Sequence, residues 1–214
     1  MTTVHTASSS TSVADDAAFE IVPGDAAAGL VLIADHASNH VPADLGDLGL
    51  PPSEFARHIA FDIGVAPLTR ALAARLGVPA VLSRFSRLVI DPNRGDDDPT
   101  LVMRLSDGAV VPGNAHLDRA GRQARIDRFW RPYDDAVTTT IDAAFAAGRP
   151  PILFSLHSFT PIWRGVPRPW RCGVLWDADP RLPEFLLARL RADPSLVVGD
   201  NEPYDGALEG DTMY

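Results

Sequence analysis

The chain has no lysine, and all 19 of its basic side chains are arginine. Every fixed cationic contact must therefore be a planar guanidinium, whose fork matches a carboxylate in a way an ammonium does not. There is a single cysteine, Cys172, so no internal disulfide can form and nothing calls for an oxidising compartment. Positive charge is also short overall. The 28 acidic residues leave a formal net charge of -9, which argues against the basic patch of a nucleic-acid-binding surface. No apolar run reaches the roughly 18 residues of a helical membrane span. Residues 1–18 lack the basic and apolar regions of a secretory signal. They are rich in Ser, Thr and Ala, with too few apolar side chains to offset ordering entropy, and are predicted to form a disordered tail. The remainder, 19–214, is of single-domain size. With no signal and no disulfide, the expected location is the cytoplasm, by default.

What is present is an alternation of short apolar runs and helix-period segments. It predicts strands over 30–35, 80–82, 88–90, 152–156, 172–176 and 196–198. Helices are predicted over 54–77 (broken near Gly64), 118–147 (kinked at Pro132) and 183–191, with an irregular stretch over 160–170. Such an order indicates an α/β fold with a mostly parallel sheet. Sheets of this type open their binding crevice at the carboxyl ends of the strands.

Three predicted strand ends carry chemistry. One runs into His36, one into His157, and one into the acid, amide and arginine of Asp91-Pro-Asn93-Arg94. A lone histidine is more often structural than a ligand, and His5 and His58 fit that reading. His36 and His157 differ because each closes a strand and opens a polar loop. Imidazole nitrogen suits zinc, and a catalytic zinc uses three protein ligands; the third is open among Asn39, Asp35 and Asp62. Asp, Pro and Asn are ordinary turn formers. With Arg87 upstream, the same turn can also clamp an anion, since arginine gives a bidentate fork and Asn93 a neutral donor. Asp91 would orient the arginines, and Arg164 and Arg168 could border the pocket. The acid run Asp96–Asp98 reads as a solvated surface. Glu202 is the one nameable candidate for a general base. Ser38 and Ser158 each neighbour a histidine, but neither sits in a nucleophile elbow.

Several segments, in order, resemble the N-formylglutamate amidohydrolase family: DHASNHVP at 35–42, HIAFDIG at 58–64, SRLVIDPNR at 86–94, PGN at 112–114, RPY at 131–133, HSFTP at 157–161, RPW at 168–170 and DNEPY at 200–204. The resemblance runs from about Gly29 onward. It implies a three-layer α/β/α sandwich around a mixed, mostly parallel sheet of the phosphorylase/hydrolase-like kind. It also implies kinship with zinc carboxypeptidases and aspartoacylase. His36 and His157 would be the first and last metal ligands, with Asn39 and Asp62 as further donors and zinc or another divalent ion as cofactor. Arg87, Asp91, Asn93, Arg94 and Arg168 would bind a small-molecule carboxylate substrate, and Glu202 would be catalytic. The implied reaction is hydrolysis of an N-formyl or N-acyl amide such as that of N-formylglutamate.

There are departures from the family pattern. Asn39 stands where the wider superfamily has a glutamate ligand, and Asp134 stands where the family often has histidine. The chain also stops before the family's final Glu-bearing strand. It is therefore expected to lack its C-terminal strand, and a general base beyond Tyr214 would leave this form weakly active. A non-catalytic carboxylate-binding protein on the same fold is the alternative these departures favour.

Overall fold

The computed structural model describes residues 16–148 and 150–206. Its main elements are β1 (Phe19–Val22), β2 (Leu30–Ala34), α1 (Val65–Leu76), β3 (Ala80–Ser83), α2 (Arg119–Arg125), α3 (Arg131–Ala146), β4 (Ile152–Ser155), β5 (Cys172–Val174), α4 (Arg181–Arg191) and β6 (Val198–Asp200). Four strands form one sheet in the order β1-β3-β2-β4. The neighbours of β2 are both parallel to it, and β1 lies antiparallel along β3. The sheet is thus mixed and mostly parallel. A smaller parallel pair, β5 with β6, is joined through α4.

Strand alternation explains the layers. Val31, Ile33 and Val81 face one way and pack with Tyr133, Val137 and Ala144 of α3. Leu32, Ala34, Ala80 and Leu82 face the other way and pack with Val65 and Ala73 of α1. A strand covered on both faces loses its polar alternation and reads as a continuous apolar run. The fold class is accordingly α/β, with a helical layer on each side of the sheet. In register, Ile33 stands level with Val81 on one side and Ser155 on the other. The carboxyl ends of three strands therefore open at one edge.

Several expectations are corrected. Residues 88–90 form a buried turn, not a strand. Ser86 starts it, its carbonyl accepting from Val89 N and its Oγ from Leu88 N. Polar side chains then replace a ladder: Asn114 Nδ2 donates to the Leu88 carbonyl and Arg125 Nη1 to that of Val89. The apolar signal there reported burial, not extension. The helix expected over 54–77 is a short 3-10 turn at Pro52–Ala56, an irregular stretch, and then α1. The long helix around Pro132 contains a π segment, Ile126–Trp130, directly before α3. A π turn absorbs the donor that proline lacks and the clash it makes one turn back. Within 160–170 a hairpin pairs Ile162–Trp163 with Val166–Pro167. Its turn, Arg164-Gly165, has positive φ at both residues, as tight hairpins need. β1 was not foreseen. Of the expected tail, residues 1–15 lie outside the described residues, while Ala18 is buried and its carbonyl accepts from Arg84 N. The C-terminal end at Tyr214, on which the missing-strand expectation rests, also lies outside them. No helix among the described residues is long and apolar enough to cross a membrane.

Candidate functional site

Asp35 and His36 follow β2, and His157 follows β4 by one residue, so parallel pairing brings them together. The two imidazole centroids lie 5.2 Å apart. Asp62 arrives from the irregular stretch before α1, held by its backbone N–H on the His36 carbonyl at 2.9 Å. Among the described residues, His36, Asp62 and His157 offer three ligand atoms within 4.8 Å of one another.

The surroundings of each ring fix which nitrogen faces inward. His36 Nε2 is 2.7 Å from Asp91 Oδ1. Asp91 is fully buried; burial opposes its charge, but His36 and Arg87 overcome that and hold its carboxyl well below the ordinary range. It therefore accepts, and Nε2 carries the proton. On the other side, Arg87 Nη1 stands 3.3 Å from His36 Nδ1. Asp62 Oδ1 lies 3.7 Å from the same nitrogen. His157 repeats the plan. Its Nε2 meets Ser155 Oγ at 3.0 Å and Asp35 Oδ2 at 3.4 Å, and its Nδ1 meets Asp62 Oδ2 at 3.1 Å. Asp35 is itself fully buried and pinned by the Tyr133 hydroxyl at 2.8 Å. Each ring thus has a buried carboxylate behind Nε2 and Asp62 on its Nδ1 side. A carboxylate behind the outer nitrogen is how a metal-ligating imidazole is commonly oriented. Two imidazole nitrogens and one carboxylate oxygen are also the donor chemistry of a catalytic zinc. The residues present fit such an ion.

Charges in the cluster shift each other. Burial disfavours charge on His157, but Asp35 and Asp62 outweigh it and raise the imidazole to about 10. Asp62 is pushed up by burial and down, more strongly, by the two histidines, so it stays ionised well below the usual carboxylate range. Arg87 is anchored to Asp91 Oδ2 at 2.6 Å, and its Nε is buried with no hydrogen-bond partner. A buried donor without an acceptor is uncommon.

The other sequence-derived candidates fall around this cluster. Asn93 donates its backbone N–H to Asp91 Oδ1 at 3.1 Å. Arg94 shares that turn, its backbone carbonyl accepting from Trp130 Nε1 at 2.8 Å. Asn39 is exposed, and its Nδ2 donates to the Phe55 carbonyl at 2.8 Å. Arg168 lies over the rings of Phe159, Trp163 and Tyr204 and donates to the Tyr204 hydroxyl at 3.2 Å. Glu202 is exposed beyond β6, two residues before Tyr204. Two partners were not singled out from sequence. Tyr133 lies in the RPY segment, but nothing in that segment says its hydroxyl meets Asp35. Ser155 sits inside an apolar strand, a polar residue whose neighbour two positions on is a histidine. His58, read as structural, stacks edge-on to Trp163 at 6.3 Å, and its charge environment includes Asp62 and Arg87.

Imidazoles and carboxylates converging beside an arginine at the ends of parallel strands describe a hydrolase built on an α/β sheet. The comparisons name the family. The model of the N-formylglutamate amidohydrolase family matches residues 28–213, and the chain belongs to that family, whose members hydrolyse amide C–N bonds. Among solved structures, a gene product of Agrobacterium tumefaciens is 35% identical with a TM-score of 0.83, covering 91% of this chain and 77% of that one. An N-formylglutamate amidohydrolase from Ralstonia eutropha JMP134 is 26% identical with a TM-score of 0.64, covering 89% of this chain and 78% of that one. No curated protein matches the chain.

Proposed function

We propose that the chain is a metal-dependent amidohydrolase that cleaves an N-formyl or N-acyl amide of a carboxylate-bearing amino acid such as N-formylglutamate. The observation that carries this reading is the pair of imidazoles, each backed by a buried carboxylate and both turned toward Asp62. His36, His157 and Asp62 would hold the ion, with zinc the best match to the donors. Bound there, a divalent cation supplies Lewis-acid polarisation of a carbonyl and a water acidic enough to react near neutral pH.

The chain's own groups do the rest. Asp91 keeps the proton on His36 Nε2, and Asp35 with Ser155 orients His157. Loading requires His157 Nδ1 to give up the proton that it otherwise shares in a hydrogen bond with Asp62. Arg87, whose side chain is part exposed beside the cluster, is the cation we assign to an oxygen of the substrate, and Arg94, on the Asp91–Arg94 turn that Asn93 helps close, receives the substrate carboxylate. Fixing that carboxylate sets the scissile amide over the cluster and supplies rate through orientation. Arg168, steadied among three aromatic rings and donating to the Tyr204 hydroxyl, borders the same mouth. Glu202 is the carboxylate we assign to carry the proton from water to the leaving amine. The reaction consumes one water and yields formate, or another small acid, and the free amino acid. Measuring formate released from N-formylglutamate by the purified, zinc-supplemented chain tests this. Steady release that His157→Ala abolishes supports it. A ligand that raises the melting temperature without being consumed favours the carboxylate-binding alternative.

A further inference from the structure

The hairpin of Ile162–Trp163 and Val166–Pro167 stands beside the hydrolytic cluster. It follows His157 in sequence, after Ser158, whose backbone N–H donates to Asp62 Oδ2 at 2.9 Å. Arg168 closes the hairpin: its backbone N–H donates to the Pro161 carbonyl at 2.8 Å and its Nη1 to the Thr160 carbonyl at 3.2 Å. Trp163 meets the edge of His58, on the segment that leads to Asp62. The guanidinium carbons of Arg164 and Arg168 lie 5.6 and 5.4 Å from the Trp163 ring. Neither arginine is in an ion pair among the described residues. In a chain with a net charge of -9, two guanidiniums on one indole with no carboxylate between them make a cationic rim.

Arg164 also sits where its backbone is disfavoured. Its φ is 49°, in the left-handed region, and Gly165 follows at 81°. Glycine or asparagine fills the first place of such a turn at lower cost. A bulky side chain kept in a strained backbone conformation points to a use for that side chain. We propose that Arg164 and Arg168, which share the Trp163 ring, bind a second carboxylate of the substrate, so that the enzyme selects acylated amino acids whose side chain ends in an acid. The hydrolase reading, on which this rests, gives the first carboxylate to Arg94; the hairpin takes the other. A guanidinium stacked by its face on an aromatic ring keeps its N–H edge for a carboxylate. Arg164, at the turn, is the specificity-determining residue.

The test is titration calorimetry of the whole chain with glutamate and with glutamine, which differ only in a side chain ending in a carboxylate or its neutral amide. Glutamate should bind about tenfold or more tightly, the low end for a charge-assisted hydrogen bond. Arg164→Gln should lower the affinity for glutamate by about that factor and leave glutamine where it was. Arg164→Gly removes the side chain at a backbone angle that suits glycine. It should melt no lower than the parent yet lose the preference for glutamate, which a merely structural arginine would not give. The proposal is overturned if the parent binds the two alike, or binds neither more tightly than about 10 mM, or if either variant keeps the preference. Formate release separates this from the hydrolase reading. A glutamate preference without hydrolysis would sink that reading alone, whereas N-formylglutamate and N-formylglutamine cleaved with equal kcat/KM would sink this proposal alone.

Discussion

Replacing Asp91 by asparagine changes almost no volume but removes the charge on which two parts of the site depend. The Asp91 carboxylate is fully buried and accepts from His36 Nε2 at 2.7 Å, Arg87 Nη2 at 2.6 Å and Asn93 N at 3.1 Å. An amide can present an acceptor to only some of these, and Arg87 loses its counter-charge. Breaking a buried pair from one side costs about 3–5 kcal/mol, a large share of the roughly 5–15 kcal/mol that holds a domain folded. At about 2–4 °C per kcal/mol for a chain of this size, Asp91→Asn should melt about 6–20 °C below the parent at pH 7. The sign of the pH dependence follows from linkage. The folded-state pKa of Asp91 is depressed, so its contribution is complete above the ordinary carboxylate value near 4 and fades as pH falls through the folded value. The gap between parent and variant should be widest at neutral pH and close on acidification. Circular dichroism melts over a pH series measure it. A variant melting within about 2 °C of the parent at pH 7 would show that Asp91 is not the anchor described.

Other outcomes follow from the same geometry. His157→Ala should lose bound metal and hydrolysis together, read by mass spectrometry of the protein's metal content and by formate release. Arg94→Ala should keep its metal but lose about 10- to 150-fold in kcat/KM for carboxylate substrates, the worth of one charge-assisted hydrogen bond; unfolding instead would make the arginine structural. In metal-free protein, the His157 imidazole should titrate near 10 by NMR. Because that pKa is raised, its contribution to stability is complete below the unfolded value near 6.5 and is lost as pH rises through about 10. His157→Gln should flatten that alkaline loss, and metal affinity in the parent should rise with pH as this proton leaves.

How much of this was legible in the sequence depended on whether a signal was local. β2 was readable as an apolar run because both of its faces are covered, β4 was readable although it lies at the sheet's edge with Ile152 exposed, and the polar residues that close the two strands stood out against their apolar runs. Residues 88–90 gave an identical signal from a buried turn, since apolar content reports burial and says little about which backbone partners are used. Here the partners are Asn114 and Arg125, 26 and 36 residues away from the carbonyls they hold. Asp62 was one of three open choices for a third donor, because its place depends on how an irregular segment folds back onto the His36 carbonyl. Tyr133 reaches Asp35 across 98 positions, a pairing that no periodicity encodes. β1 was missed because four residues beside a polar segment carry too short a pattern, and its pairing with β3 is what makes it a strand.

The most direct measurement is a metal titration of chelator-treated protein with formate release from N-formylglutamate as the readout. Activity should be absent at the start, rise with added zinc and level off at about one equivalent, as a single three-donor site requires. His36→Ala and His157→Ala should stay silent throughout. Full activity in protein from which all transition metal has been removed would disprove a metal-dependent site at His36, Asp62 and His157.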